Sequence, residues 1–437
     1  MHKITIRDFG PVTDCELELK SFIVLIGEQA TGKSTISKCI YFCKSIRDRV
    51  KSHLYDVLTG GLPDKHSLIK KLRSEMKKRF VDLFGITKFK DNFYIKYEYG
   101  PGLHLEITLT QDKDKSINLD FCSTLLHRII QMEQQAIEYY EKKINVSSNW
   151  TEEFFDLEQG RLYKQFDQEV NELFHDHMEH YYIPAGRGLL SLLANQLLNL
   201  EQAGLDYVTR EFLKLILKER SYFEQGLTGI SSSSPMRDKL KSLKIDQQIS
   251  TILRGYYSNR SGREFIRPKT ERNALPINYA SSGQQEIVWI LNLLCLWMYT
   301  SRQVFVVIEE PEAHLYPIAQ RQVIDFVALF TNITGSHVMI TTHSPYVLTS
   351  ANNLLYAGKV GARFEREVNQ YIKKEYWLQQ VAFHAYKLNS ATEPYLQTIM
   401  DEELLEIAAE HLDEVSIEIR EVYQDILNVE AEHGFLN

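Results

Sequence analysis

The chain opens on alternating apolar and polar positions. Residues 3–9 (KITIRDF) and 15–20 (CELELK) read as paired strands around a turn at Gly10-Pro11. Phe22 to Ile26 is apolar without alternation, the pattern of a strand buried on both faces. From Ser34 to Tyr41 apolar positions return at helical spacing. Ser67–Gly85 places Leu68, Leu72, Met76, Phe80 and Leu83 on one helical face, and residues 92–99 and 103–110 read as two strands joined at Gly100-Pro101-Gly102. Leu119 to His180 is long, charged and helical in period, broken by no Pro and by Gly160 alone, and predicts a helical arm in which no heptad is sustained. A short apolar piece, YYIPAGRG at 181–188, ends it. Helical character resumes over Leu189–Arg220, breaks at the Ser-rich Gly229–Pro235 and continues to about Arg254. Ile287–Tyr299 is too short to cross a bilayer and contains Asn292, so it predicts a buried core helix. Val304–Ile308 and residues 337–342 are further strands. The tail holds one strand-like run, VAFHAYKL at 381–388, and an acidic helix, Glu403–Asn428.

These elements predict an α/β protein in three segments: 1–118, a helical insertion over 119–275, and 276–437. With 44% hydrophobic and 25% charged residues the composition is that of a globular chain with a sizeable core. A net charge of −8 means that any nucleic-acid contact needs a local basic surface. The five cysteines are scattered, with no C-x-x-C pair, which points to a reducing compartment and away from a disulfide framework or a zinc site. No signal peptide or membrane span is expected, and the expected location is cytoplasmic.

The candidate chemistry begins at Gly27. Gly27, Gly32, Lys33 and Ser34 complete a G-x-x-x-x-G-K-[ST] pattern between a buried strand and a helix. Such a loop, with Gln29, Ala30 and Thr31 between the glycines and Thr35 after Ser34, turns successive backbone N–H groups toward phosphates. Lys33 supplies a point charge and Ser34 a ligand for Mg²⁺. The strand Val304–Ile308 ends in Glu309-Glu310. Beside a phosphate loop, Glu309 is expected to order Mg²⁺ through its water shell and Glu310 to position or deprotonate water. Ser282-Gly283-Gln284 opens an apolar helix and makes a second anion cradle. His343 follows a strand, where an imidazole reaches a γ-phosphate. Between Arg254 and Arg272, six basic residues alternate with Tyr256, Tyr257 and Phe265; a nucleic-acid surface and an ordinary twisted hairpin both account for them.

In that order, the phosphate loop, S-S-G-Q-Q-E (281–286), I-E-E-P-E-A-H-L-Y-P (308–317) and T-T-H-S-P (341–345) resemble the ABC-type ATPases of the SMC and RecF-like superclass. More narrowly they resemble the compact ATPases of bacterial anti-phage systems: Septu-type, retron-linked, and OLD-like without a toprim nuclease. The resemblance implies a P-loop ABC-type head with an inserted helical arm, binding ATP and Mg²⁺. It also implies a homodimer that sandwiches two nucleotides, Ser282 and Gly283 of one copy closing on the γ-phosphate held by Lys33 of the other. Glu310 becomes the catalytic base, His343 the γ-phosphate switch, and Glu312–Leu315 the loop across the interface. The chain departs from the family pattern at Gln29, usually Asn, and at Glu309, usually Asp, which implies looser metal geometry and slow turnover. Arg187 is expected near the nucleotide, ahead of Gln111. No toprim or HNH cluster is visible, so an effector nuclease is expected on a separate chain. The alternative is a RecF-like clamp acting on DNA in repair or recombination.

Overall fold

The computed structural model describes residues 2–60, 68–85, 92–109, 116–144, 152–188, 204–224, 234–389, 394–401, 403–404 and 406–408. Strands β1 (Lys3–Phe9) and β2 (Val12–Glu18) pair antiparallel across the Gly10 turn. With β4 (Tyr94–Gly100), β5 (Leu103–Leu109) and β6 (Ile117–Phe121) they form a five-stranded antiparallel sheet. The second large sheet contains β3 (Phe22–Gly27), β7 (Glu179–Ile183), β11 (Val304–Glu309), β12 (His337–Thr342), β13 (Phe383–Leu388) and β14 (Leu396–Thr398), in the order β14-β13-β3-β12-β11-β7. All its pairings are parallel except that of the edge strand β14, so the sheet is mixed.

Because side chains alternate, the second sheet feeds two cores. Ile23, Leu25, Phe305, Val307 and Met339 face α1 (Lys33–Leu58) and the antiparallel sheet. Phe22, Val24, Val306, Ile308 and Ile340 face three helices, Ser282–Tyr299, Pro317–Thr334 and Pro345–Gly361. The first of these is buried at every position from Glu286 to Tyr299, as its apolar run predicts. No helix among the described residues is long and apolar enough to cross a membrane.

The stretch expected to be helical from Leu119 to His180 is helical, among the described residues, in α3 (Ser123–Ile144) and α4 (Glu152–Leu173), after α2 (Leu68–Phe84) earlier in the chain. Its ends are strands: Ile117–Phe121 extends the antiparallel sheet, and Glu179–Ile183 pairs in parallel with β11. The inserted helices fold back along α1, where Leu125, Ile129, Phe166 and Val170 share its core. A buried ionic cluster fastens α1 to the start of β7. Lys44 Nζ donates to Asp176 Oδ2 at 2.5 Å, Arg47 donates to the carbonyls of Asp176 and Met178, and His180 lies 2.8 Å from Asp48. The Glu403–Asn428 helix lies almost wholly outside the described residues. Its first part is not helical, since Glu406-Ile407 pairs with Met400-Asp401. Gln111 also lies outside them.

Candidate nucleotide site

Parallel pairing decides where the chemistry collects. β3, β12, β11 and β7 all run the same way, so the phosphate loop, His343, Glu309-Glu310 and the 184–188 segment leave one edge of the sheet together, where ligands of open α/β sheets bind.

The loop is built on backbone that side chains disfavour. Gly32 sits at φ +97°, and a Cβ there would lie 2.5 Å from the Tyr395 hydroxyl and 3.0 Å from Val12. A Cβ on Gly27 would meet the Leu388 carbonyl at 2.6 Å. Ala30 is also left-handed, at φ +62°. Thr31 Oγ1 donates to the Glu28 carbonyl at 2.8 Å, and the Tyr395 hydroxyl donates to the Thr31 carbonyl. Gln29 and Ser34 are exposed and Thr35 is half-buried, which leaves Ser34 open on the first turn of α1. Lys33 is 6% exposed, its ammonium donating to the carbonyls of Gly27 at 2.7 Å and Glu28 at 2.6 Å. Burial lowers its pKa to about 8, against the opposing pull of Glu310, Glu312, Glu28 and Glu309.

Glu310 follows β11 in a left-handed conformation, φ +42°, its N–H donating to the Thr341 carbonyl at 2.8 Å. Its half-exposed carboxylate faces His343 Nε2 at 3.5 Å. Burial, and then Lys33, push the His343 pKa down, so the ring is neutral near pH 7 despite Glu310. Glu312 is 8% exposed and latches the end of β12, accepting from the Thr342 hydroxyl and from the His343 N–H at 3.1 Å.

Two expected ligand residues are bonded within the chain. Arg187, expected beside the nucleotide, is 2% exposed and bonded throughout. Its Nε donates to the Glu286 carbonyl, Nη1 to the carbonyls of Pro184 and Glu309, and Nη2 to that of Glu310. It rivets β7, β11 and the Ser282–Tyr299 helix behind the site, and it holds the strained Glu310 peptide. Gln284, expected to touch nucleotide, forms a capping box with Ser281, which is the N-cap; its Nε2 donates to the Leu253 carbonyl at 2.9 Å. Glu309, expected to order Mg²⁺ through its water shell, is also bonded within the chain. Its 6% exposed carboxylate accepts from the Tyr182 hydroxyl at 2.6 Å and the Ala185 N–H at 3.1 Å, bracing β7 and leaving Glu310 as the open acid. Ser282 is exposed at the helix N-terminus. Gly283 packs under the next loop, where a Cβ would lie 2.7 Å from the His314 carbonyl. The sequence reading missed Tyr182, Glu286 and Tyr395 as parts of the site, because each acts on a partner about a hundred or more residues away.

Residues 1–348 match the family described as the AAA ATPase domain. The chain belongs to that family. ATP binding and hydrolysis are therefore its activity. No curated protein matches the chain. Among solved structures, a crystal structure of the SMC head bound to the C-winged helix domain of ScpA aligns over 92% of this chain and 98% of its own, at 10% identity and a TM-score of 0.40. The SMC head domain from Thermotoga maritima aligns over the same shares, at 12% identity and a TM-score of 0.36.

Proposed function

We propose that this ATPase is a molecular switch that dimerises around two Mg-ATP and regulates a separate effector, a nuclease in anti-phage defence. The observation that carries the dimer is the exposed cradle at Ser282, a helix N-terminus pointing to solvent and rimmed by apolar side chains. Tyr279 is 74% exposed, Tyr316 69%, Ile318 61% and Tyr346 52%. These residues stand at the starts of three helices that pack on one face of the parallel sheet. A second copy would cover this rim and bring its own Ser282 to the nucleotide held by Lys33. The residues at the loop fit a Mg-triphosphate. Lys33 is already folded over the loop, and the exposed Ser34 offers its hydroxyl on the first turn of α1. Ser34 would hold Mg²⁺ when the nucleotide is bound, and the ion would supply charge neutralisation of the phosphate oxygens. Within the chain, Glu310 takes a proton from the attacking water and neutral His343 donates a hydrogen bond toward the γ-phosphate. Effector and defence role rest on the motif resemblance.

Light scattering with and without Mg-ATP tests this reading. Glu310→Gln, which blocks proton removal and traps nucleotide, should double in mass with Mg-ATP, and Ser282→Arg should abolish the doubling. A monomer under every condition overturns the sandwich.

A further inference from the structure

The hairpin of β8 (Gly255–Arg260) and β9 (Arg263–Pro268) takes no part in the nucleotide site, yet its two faces differ sharply. One face is core. Tyr257 and Ile266 pack there, Tyr257 lying 5.8 Å from Trp289 of the Ser282–Tyr299 helix, and the Tyr257 hydroxyl donates to Glu264 at 2.6 Å. The register sets Tyr256 opposite Arg267, Ser258 opposite Phe265 and Arg260 opposite Arg263 on the other face. There Arg267 stacks 4.4 Å from the Tyr256 ring and Arg260 5.7 Å from Phe265. Arg254, Lys269 and Arg272 continue the basic run, all exposed. Among the described residues none of these six cations forms an ion pair, while Glu264, the only acid within the hairpin, is 3% exposed and held by Tyr257 on the core face.

We infer that this face docks the phosphate backbone of a nucleic-acid strand. Three observations select that occupant. Arg260, Arg263 and Arg267 share one face of the hairpin in a chain whose net charge is −8, so the patch is complementary to a polyanion. Arg267 and Arg260 sit over the Tyr256 and Phe265 rings, which limits their freedom and leaves N–H groups to bond phosphate oxygens. Arg260 and Arg263 sit opposite each other at the turn end of the hairpin and Arg267 lies four residues along β9, about 14 Å away, so the charges span a length suited to an extended strand. Tyr256, 46% exposed, adds a face on which a base can stack. The inference does not need the ATP-dependent dimer.

Fluorescence anisotropy on the full-length protein tests it, using labelled duplex DNA, single-stranded DNA and RNA of about 30 nucleotides over a salt series. Wild type is expected to bind at least one of them, the preferred form naming the source. Arg260→Glu/Arg263→Glu/Arg267→Glu should weaken binding at least tenfold and flatten the log–log salt slope by about three. The milder Arg260→Gln/Arg267→Gln, with an unchanged melting curve and ATPase rate, should lose a smaller share and so separates docking from folding. No binding by wild type at low salt overturns the inference, as does equal binding by both variants. Displacement of the nucleic acid by polyglutamate at equal charge concentration also overturns it, in favour of an acidic protein.

Discussion

Lys33 shows how one side chain reports on the whole site. Its ammonium lies in the fold of its own loop, bonded to two carbonyls, and burial brings its pKa to about 8 in the free protein. A triphosphate stabilises the charged form, so binding raises that pKa and takes up a proton when the pH is near or above 8. ATP affinity is therefore expected to be flat below about pH 7 and to fall as pH rises through 8. Calorimetric titrations in two buffers of different ionisation heat should show proton uptake near pH 8.5. A pH-independent affinity from 7 to 9.5, or the same profile in Lys33→Met, would contradict the assignment. Glu310 is the complementary case, an acid whose position depends on a left-handed backbone that a β-strand would not otherwise adopt.

At the scale of elements, the site depends on the joint between β7, β11 and the Ser282–Tyr299 helix, and Arg187 closes it. Glu286 also accepts from the N–H groups of Arg187 at 3.0 Å and Gly188 at 2.9 Å, so the helix that carries the exposed cradle is tied to the strand end that carries Glu310. Arg187→Met keeps the bulk but leaves the carbonyls of Glu309, Glu310 and Pro184 without donors and Glu286 without its cation. A loss of about 3–5 kcal/mol in urea unfolding is expected, because breaking one side of a buried pair leaves the other uncompensated. Turnover should fall more than nucleotide affinity, since the phosphate loop stands on β3 and α1. A stable Arg187→Met with full turnover would refute the rivet. The capping box explains why Gln284 belongs to the same joint: Ser281 and Gln284 satisfy helix donors and reach the Leu253 carbonyl just before the β8 hairpin.

For the whole molecule, the apolar rim predicts assembly. Tyr316→Asp/Ile318→Asp should bind nucleotide as wild type does and yet remain monomeric with Mg-ATP in the Glu310→Gln background, measured by light scattering; a dimer of normal stability would move the interface elsewhere. The strand before the phosphate loop, the strand that ends in Glu309-Glu310, the helix that opens at Ser281-Ser282 and the strand before His343 were all legible in the amino-acid sequence. Each depends on a backbone shape or a strand end that a few adjacent residues specify: glycine where a Cβ collides, an apolar run for the strand, a capping residue for the helix. The buried core helix and the paired strands around Gly10 and Gly100 were legible for the same reason, since their period is local. Tertiary structure alone decided the rest. Tyr182 and Arg187 lie in a short apolar piece whose few residues name no partner, and only parallel pairing with β11 makes its start a strand and brings them to Glu309 and Glu310. Tyr395 reaches Thr31 across the sheet from the far end of the chain. Local spacing carries no record of such partners, because register between distant strands follows from how all their buried faces pack at once.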